Sequence, residues 1–347
     1  MKKIRYAIYS VLPLLVLILI AESALRLAGF KYSDTPLEIQ NLPQSLAEDV
    51  AVKHTDKLPK WSWTMKKDPR QIWVPEKGSF EEKYAVQKPQ GVIRLATMGC
   101  SCTWGCFGTE DSYPALLEKL LNEPAPHKYE VLNAGVPGYS SYQGRQRLQH
   151  AVLRYNPDIV TIFFGWNDHW VARIPDKEIR PRSDLTVILL NFFEHFRTYQ
   201  ALHKLIAVMK PAPEATLKGP GQLPLRVSFA DYEQNLTEMI RVAQSAGIRP
   251  VLITAPADPS QLDSSWVFPF PRELLPQIHA GYNQIVRKVA SDKNIPLIDL
   301  SAEMEALQKT APENTPKLFS DGVHFSPFGC EIVAKILLVE LRRLKLI

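Results

Sequence analysis

At 347 residues the chain is long for one domain and short for two large ones, since domains usually run about 100–200 residues and α/β types reach about 250. A hydrophobic content of 46% excludes a disordered or fibrous chain. The net charge is +5, with Lys and Arg scattered rather than gathered in a stripe, which argues against nucleic acid as a partner. Four cysteines are too few for a disulfide scaffold of this length. Cys100, Cys102 and Cys106 crowd together but lack the paired spacing and His partners of a zinc site. The sequence implies no cofactor and no metal.

Residues 1–30 are a different material from the rest. A basic start, Lys2, Lys3 and Arg5, precedes an apolar run from Tyr6 to Ala21 that is interrupted by Ser10 and Pro13. Such a run, extended through Ser23–Ala28, approaches the length a transmembrane helix needs. Positive residues stay on the cytoplasmic side, so the chain beyond them is expected outside, periplasmic or at the cell surface. A cleaved signal peptide, which would leave the protein secreted, is the rival. Glu22 and Arg26 make a poor cleavage region, so an uncleaved single-pass anchor is the preferred expectation.

Residues 31–90 hold Pro, Lys and aromatic residues without sustained periodicity and read as an extracytoplasmic stalk. Its tryptophans, Trp61, Trp63 and Trp73, are expected to pack back on the main domain, and Trp73–Pro75 to form a short edge strand. From Gly91 to the C-terminus, short apolar runs alternate with amphipathic stretches. Val92–Met98, Val131–Asn133, Ile159–Phe164, Val251–Thr254 and Leu297–Asp299 read as strands, the third apolar enough to be buried on both faces. Tyr113–Leu121, Gln143–Leu153, Phe229–Ala246, Arg272–Ala290 and Pro327–Arg343 read as helices. Ser228 and Ser326 are their candidate N-caps, and Gly247 a C-terminal cap. A proline-broken segment at about 170–226, with one helix-like stretch from Asn191 to Met209, reads as an insertion. Strands alternating with helices imply βαβ units, a parallel sheet of about five strands and a three-layer α/β/α domain over 91–347. Active sites of such sheets lie at the carboxyl ends of the strands.

Four segments fall at those ends. Gly99-Cys100-Ser101-Cys102-Thr103 follows the first strand, where a serine between small residues can project its hydroxyl and its own N–H into one space. Asn133-Ala134-Gly135-Val136-Pro137-Gly138 follows the second, and glycine there lets a backbone N–H approach a ligand closely. Gly165-Trp166-Asn167-Asp168 follows the third and can offer a side-chain amide to a developing oxyanion. Asp321-Gly322-Val323-His324 precedes the last helix, and Gly322 lets the carboxylate fold back onto the ring, leaving Nε2 free to take a serine proton. Taken singly, these segments read more readily as turns or caps. The remaining histidines, His54, His127, His150, His195, His203 and His279, read as ordinary surface or core residues.

Together the four segments resemble the SGNH, or GDSL-like, hydrolases, whose Ser, Gly, Asn and His recur in this order with an Asp three residues before the His. The resemblance implies a flavodoxin-like SGNH hydrolase fold, with Ser101 as nucleophile, His324 as general base and Asp321 orienting it. It also implies an oxyanion hole from the Ser101 N–H, Gly138 and Asn167, with Gly135 ranked after Gly138. One departure stands out: the usual Gly-Asp-Ser is Gly-Cys-Ser here, which makes Cys100 or Cys102 a rival thiol nucleophile. A disulfide between this cluster and Cys330 is left open.

The expected activity is hydrolysis of acyl esters, acetyl esters above all, on carbohydrate or envelope polymers. Its partners would be an ester-bearing small molecule or an acylated carbohydrate, and a membrane through the N-terminal helix. Acyl transfer to an extracytoplasmic polysaccharide, and a non-catalytic binding or assembly role on the same fold, are the alternatives. His169, Trp170 and the stretch Asn191–Met209 are the candidate substrate wall.

Overall fold

The computed structural model describes residues 2–32, 65–105, 108–170, 175–179, 181–209, 225–262, 272–312 and 315–347. Trp61, Trp63, His54 and Cys106, singled out above, lie outside them. The first element is a long helix, α1 (Lys2–Leu27). Its apolar residues from Leu12 to Ile20 are exposed. The expected membrane-spanning helix is not shown: among the described residues no helix is long and apolar enough to cross a membrane. Part of that expectation falls on residues 2–11, whose side chains lie outside the described set.

The segment read as a stalk contains an antiparallel hairpin, β1 (Met65–Asp68) and β2 (Ile72–Pro75), which extends the single edge strand expected at Trp73. Trp73 is buried against the body, with its ring edge-on to Tyr139 and Nε1 directed at Pro137 O.

The main domain is a parallel sheet of β3 (Ile93–Gly99), β4 (Tyr129–Asn133), β5 (Ile159–Phe163), β6 (Arg249–Ile253) and β7 (Leu297–Ile298), in the order β4-β3-β5-β6-β7. Side chains alternate across a pleated strand, and β5 uses both faces. Val160 and Ile162 enter one hydrophobic cluster, while Ile159 and Phe163 enter the other. The sheet order reverses direction at β3, so the crevice between the carboxyl ends of β3 and β5 is the place where such sheets hold ligands.

Between these strands lie α2 (Ser101–Trp104), α3 (Tyr113–Asn122) and α4 (Ser141–His150). The insertion carries α5 (Asp184–Phe193) and α6 (Arg197–Met209), and α7 (Phe229–Ser245), α8 (Leu275–Lys293), α9 (Leu300–Thr310) and α10 (Pro327–Arg343) follow. Leu148 of α4, Leu236 and Met239 of α7 and Val286 of α8 fill the first cluster. Leu117 of α3, Met304 of α9 and Leu337 of α10 fill the second. Two helical layers thus sandwich the sheet. The caps form as expected: Ser228 Oγ accepts from Asp231 N, Ser326 Oγ from Gly329 N, and Gly247 adopts positive φ after α7.

The single helix expected from Asn191 to Met209 is instead two, broken at Glu194–Phe196. The insertion leaves and rejoins the body through one short backbone pairing: Val227 N donates to Asp168 O, and Arg226 N to Trp170 O.

Candidate active site

β3 delivers the chain into a one-turn helix at Ser101. Gly99 is needed at the bend, because a Cβ there would lie 2.0 Å from Thr103 Oγ1 and 2.9 Å from the Phe163 carbonyl. Ser101 opens α2, whose first N–H groups have no acceptor within the helix. Thr103 Oγ1 and Tyr113 OH lie 3.0 Å apart beneath the turn and brace it from the side of α3.

Ser101 and His324, 223 residues apart in sequence, meet in space: Oγ lies 2.8 Å from Nε2. On the other side of the ring, Nδ1 lies 2.7 Å from Asp321 Oδ2. Asp321 Oδ1 accepts from the backbone N–H groups of Val323 at 3.0 Å and His324 at 2.8 Å. An ionised carboxylate only accepts, so Nδ1 carries the ring proton and Nε2 presents a lone pair to the serine.

All three side chains are buried. Burial favours the neutral acid at Asp321, but the His324 ring and the two backbone donors outweigh it and hold the carboxyl below its ordinary value. At His324 burial again opposes charge, and the Asp321 carboxylate prevails, raising the ring above its ordinary value. A carboxylate that stabilises imidazolium is what a general base beside a serine needs.

The flanking thiols are free, as is Cys330, so no disulfide joins them. Cys102 Sγ points at Val323 O, at 3.5 Å. Cys100 is held down to about 7, chiefly by its hydrogen bond with the Cys102 thiol and against the effect of burial. It is the Ser101 oxygen that faces Nε2.

The second segment forms a tight turn, with Tyr139 N donating to Val136 O and Gly138 at φ 76°. That conformation is left-handed and favours glycine. The two ranked glycines now separate: Gly135 N–H is taken by Asn133 Oδ1, and its Cα packs on the Ser101 turn, where a Cβ would lie 2.6 Å from Trp104 N. Asn167 is buried and donates one amide hydrogen to Tyr139 O at 3.1 Å, which ties the third segment to the second.

Asp168, expected as a turn or cap residue, is a cross-link. Oδ1 accepts from Ser141 N, at the start of α4, and Oδ2 from Gly165 N. Burial pushes its carboxyl up to about 6.

His169, expected on a substrate wall, is fully buried. Its ring packs against Trp166 and His279, with centroids 4.8 and 5.5 Å away. Burial, reinforced at His169 by its neighbour, lowers both histidines, His279 to about 4. Trp170 is part-buried at the neck of the insertion. The stretch Asn191–Met209 contacts β1 and α1: Asn191 exchanges hydrogen bonds with the Lys67 backbone, and α6 meets the end of α1.

Arg226 is a residue the sequence did not single out. Its guanidinium donates to Gly138 O, Gln143 Oε1 and Asp176, and so holds the Gly138 turn from outside. Nothing local marks it, because its partners come from segments up to 88 residues away.

The family model described as "GDSL-like Lipase/Acylhydrolase family" matches residues 97–332. No curated protein matches the chain. Among solved structures, a lipase/acylhydrolase from Enterococcus faecalis is similar at 22% identity and TM-score 0.47, covering 73% of this chain and 96% of its own. An acetyl xylan esterase, AlAXEase, shares 24% identity at TM-score 0.47, with coverages of 71% and 98%. The acetylxylan esterase Axe2 from Geobacillus stearothermophilus shares 19% identity at TM-score 0.46, with coverages of 73% and 96%.

Proposed function

The chain belongs to the GDSL-like lipase/acylhydrolase family, and from that premise we propose that it is a membrane-associated serine esterase working outside the cytoplasm. Its substrates in this reading are acyl esters, acetyl esters above all, on carbohydrate or envelope polymers. The observation that carries the chemistry is the unbroken line from Ser101 Oγ through the His324 ring to Asp321, with contacts of 2.8 and 2.7 Å.

In the first half-reaction Ser101 Oγ attacks the ester carbonyl carbon as Nε2 takes its proton. The Nδ1 proton stays on the ring, and the Asp321 carboxylate stabilises the imidazolium that forms. Negative charge develops on the carbonyl oxygen and is met by the N–H groups of Ser101 and Gly138 and by the second amide hydrogen of Asn167. The tetrahedral adduct collapses, the leaving alcohol receives the proton from Nε2, and the acyl group remains on Ser101. Water, deprotonated by the same nitrogen, then releases the acid and restores the serine.

Placement outside the cytoplasm is supported by the basic residues Lys2, Lys3 and Arg5 ahead of the apolar run.

A fluorophosphonate probe on the purified full chain is expected to label the wild type and to leave Ser101→Ala unlabelled. The same variant is expected to lose hydrolysis of an acetate ester and of an O-acetylated polysaccharide followed by mass spectrometry. Unchanged hydrolysis by Ser101→Ala would overturn the reading. A mass gain on the polymer in the presence of an acetyl donor would replace hydrolysis by transfer.

A further inference from the structure

α5 and α6 each carry an apolar stripe that the protein leaves uncovered. Leu185, Ile188 and Phe192 follow one another at helical spacing along α5, and Leu205, Val208 and Met209 lie near the end of α6. All six are 55–75% exposed. Large exposed apolar patches mark interaction surfaces, because monomeric soluble proteins rarely leave them open.

The end of α1 joins this pair of helices. Glu22 accepts from the backbone N–H groups of Arg197 and Thr198 and from the Thr198 hydroxyl, so it caps α6. Arg26 donates to His195 O in the turn between α5 and α6. The exposed apolar run Leu12–Ile20 of α1 therefore leads directly into the helical pair.

The pair carries Asp184 at the start of α5 and Glu194, which pairs with Lys67, and α6 itself is basic. α6 contains Arg197 and Lys204 and no Asp or Glu, and the chain before the apolar run opens with Lys2, Lys3 and Arg5. Apolar stripes on a pair whose second helix is basic, joined to a chain that opens with basic residues, fit the boundary between acyl chains and anionic headgroups.

We propose that α5 and α6 form an interfacial hairpin that lies on an anionic lipid bilayer, continuous with the lipid-facing run of α1. This rests on the membrane association proposed above and adds to it a second point of contact. The two points fix how the catalytic body stands on the membrane. α5 grips β1 through the paired hydrogen bonds of Asn191 with Lys67 and the Lys67–Glu194 ion pair. The same β1–β2 hairpin meets the oxyanion turn, where Tyr139 OH donates to Trp73 O. The bilayer surface is thus held at a set offset from the site, through rigid contacts rather than through a tether.

The test uses the full chain in a Cys106→Ser background, with Phe192→Cys or Leu205→Cys carrying an environment-sensitive fluorophore and Glu305→Cys on α9 as control. Cys100, Cys102 and Cys330 are buried, and hydrolysis of a soluble acetate ester verifies folding. Each protein is floated with phosphatidylethanolamine–phosphatidylglycerol vesicles, and emission is read with and without doxyl-labelled lipid. The expected result is co-flotation of all three, with emission lost to the quencher at 192 and 205 and retained at 305. Co-flotation with unquenched labels at 192 and 205 overturns the hairpin and leaves membrane association standing. Absence of co-flotation overturns both. A concentration-dependent emission shift without lipid assigns the stripes to a second copy of the chain and likewise overturns the proposal.

Discussion

His324 is held by the Asp321 carboxylate, which commits both of its oxygens to that task, one to the ring and one to the backbone that carries the ring. Because that carboxylate raises the imidazole above its ordinary value, the neutral ring that the proposed mechanism needs gives way to the charged form at a higher pH than in a free imidazole. Asp321→Asn is expected to lower turnover about 10⁴-fold and to move the acid limb of the pH–rate profile to lower pH. A pH series on a soluble acetate ester reads both effects, and an unmoved limb would contradict the assignment. Taken singly, Ser101, Asn167, Asp321 and His324 read as turn or cap residues; the order of their segments and the resemblance it carries pointed to them, and Ser101, His324 and Asp321 do meet in one line. The resemblance ranked Gly138 ahead of Gly135, but the physical reason was not legible. It turns on Asn133 having taken the Gly135 N–H, a contact invisible in spacing. Arg226 was illegible for the same reason, since its role depends on where three other segments arrive.

Elements with local signals were readable, and those capped from afar were not. The strands announced themselves by short apolar runs, and α10 by its Ser326-Pro327 start. The break between α5 and α6 has no Pro or Gly to mark it. α6 begins where it does because Glu22, 175 residues earlier, supplies its N-terminal acceptor. α9 does carry a signal, Leu300, Met304 and Leu307 after the N-cap Asp299, but Asp299 also reads as the end of the short apolar run before it. A contact between elements also sets a firm limit on substitution. A Cβ on Gly144 of α4 would lie 2.2 Å from the Phe164 ring, which follows β5 and leads into Asn167. Gly144→Ala is expected to cost about 1–3 kcal/mol as the helix is forced off the sheet. Thermal unfolding measures it, and a variant as stable as the wild type would show that the helix yields without strain.

At the scale of the molecule, buried titratable groups set opposing responses to acid. Burial holds Asp168 up to about 6, so falling pH protonates it in the folded state before the unfolded one, and this adds stability. His279, lowered to about 4 by burial, is charged first in the unfolded state, so the same change removes stability between about pH 6.5 and 4. The two largely offset each other. Asp168→Asn removes the compensation, and its loss of stability between about pH 7 and 4.5 is expected to exceed that of the wild type by about 2 kcal/mol. Urea unfolding midpoints at the two pH values decide it, and equal acid losses in both proteins would refute it. The layered architecture was readable from alternation alone, because βαβ units admit few arrangements. How the N-terminal segments fold against the body was not, since their contacts are made with chain far downstream.

The paired bonds that close the neck, Val227 to Asp168 and Arg226 to Trp170, turn more than fifty residues into a side branch of the catalytic trunk. Closing a branch costs an entropy that grows only slowly with its length. What hangs there can therefore change in length at little entropic cost while β3 and β5 keep their ends in place, and the contacts of the branch with β1 and α1 set which exchanges keep its present position.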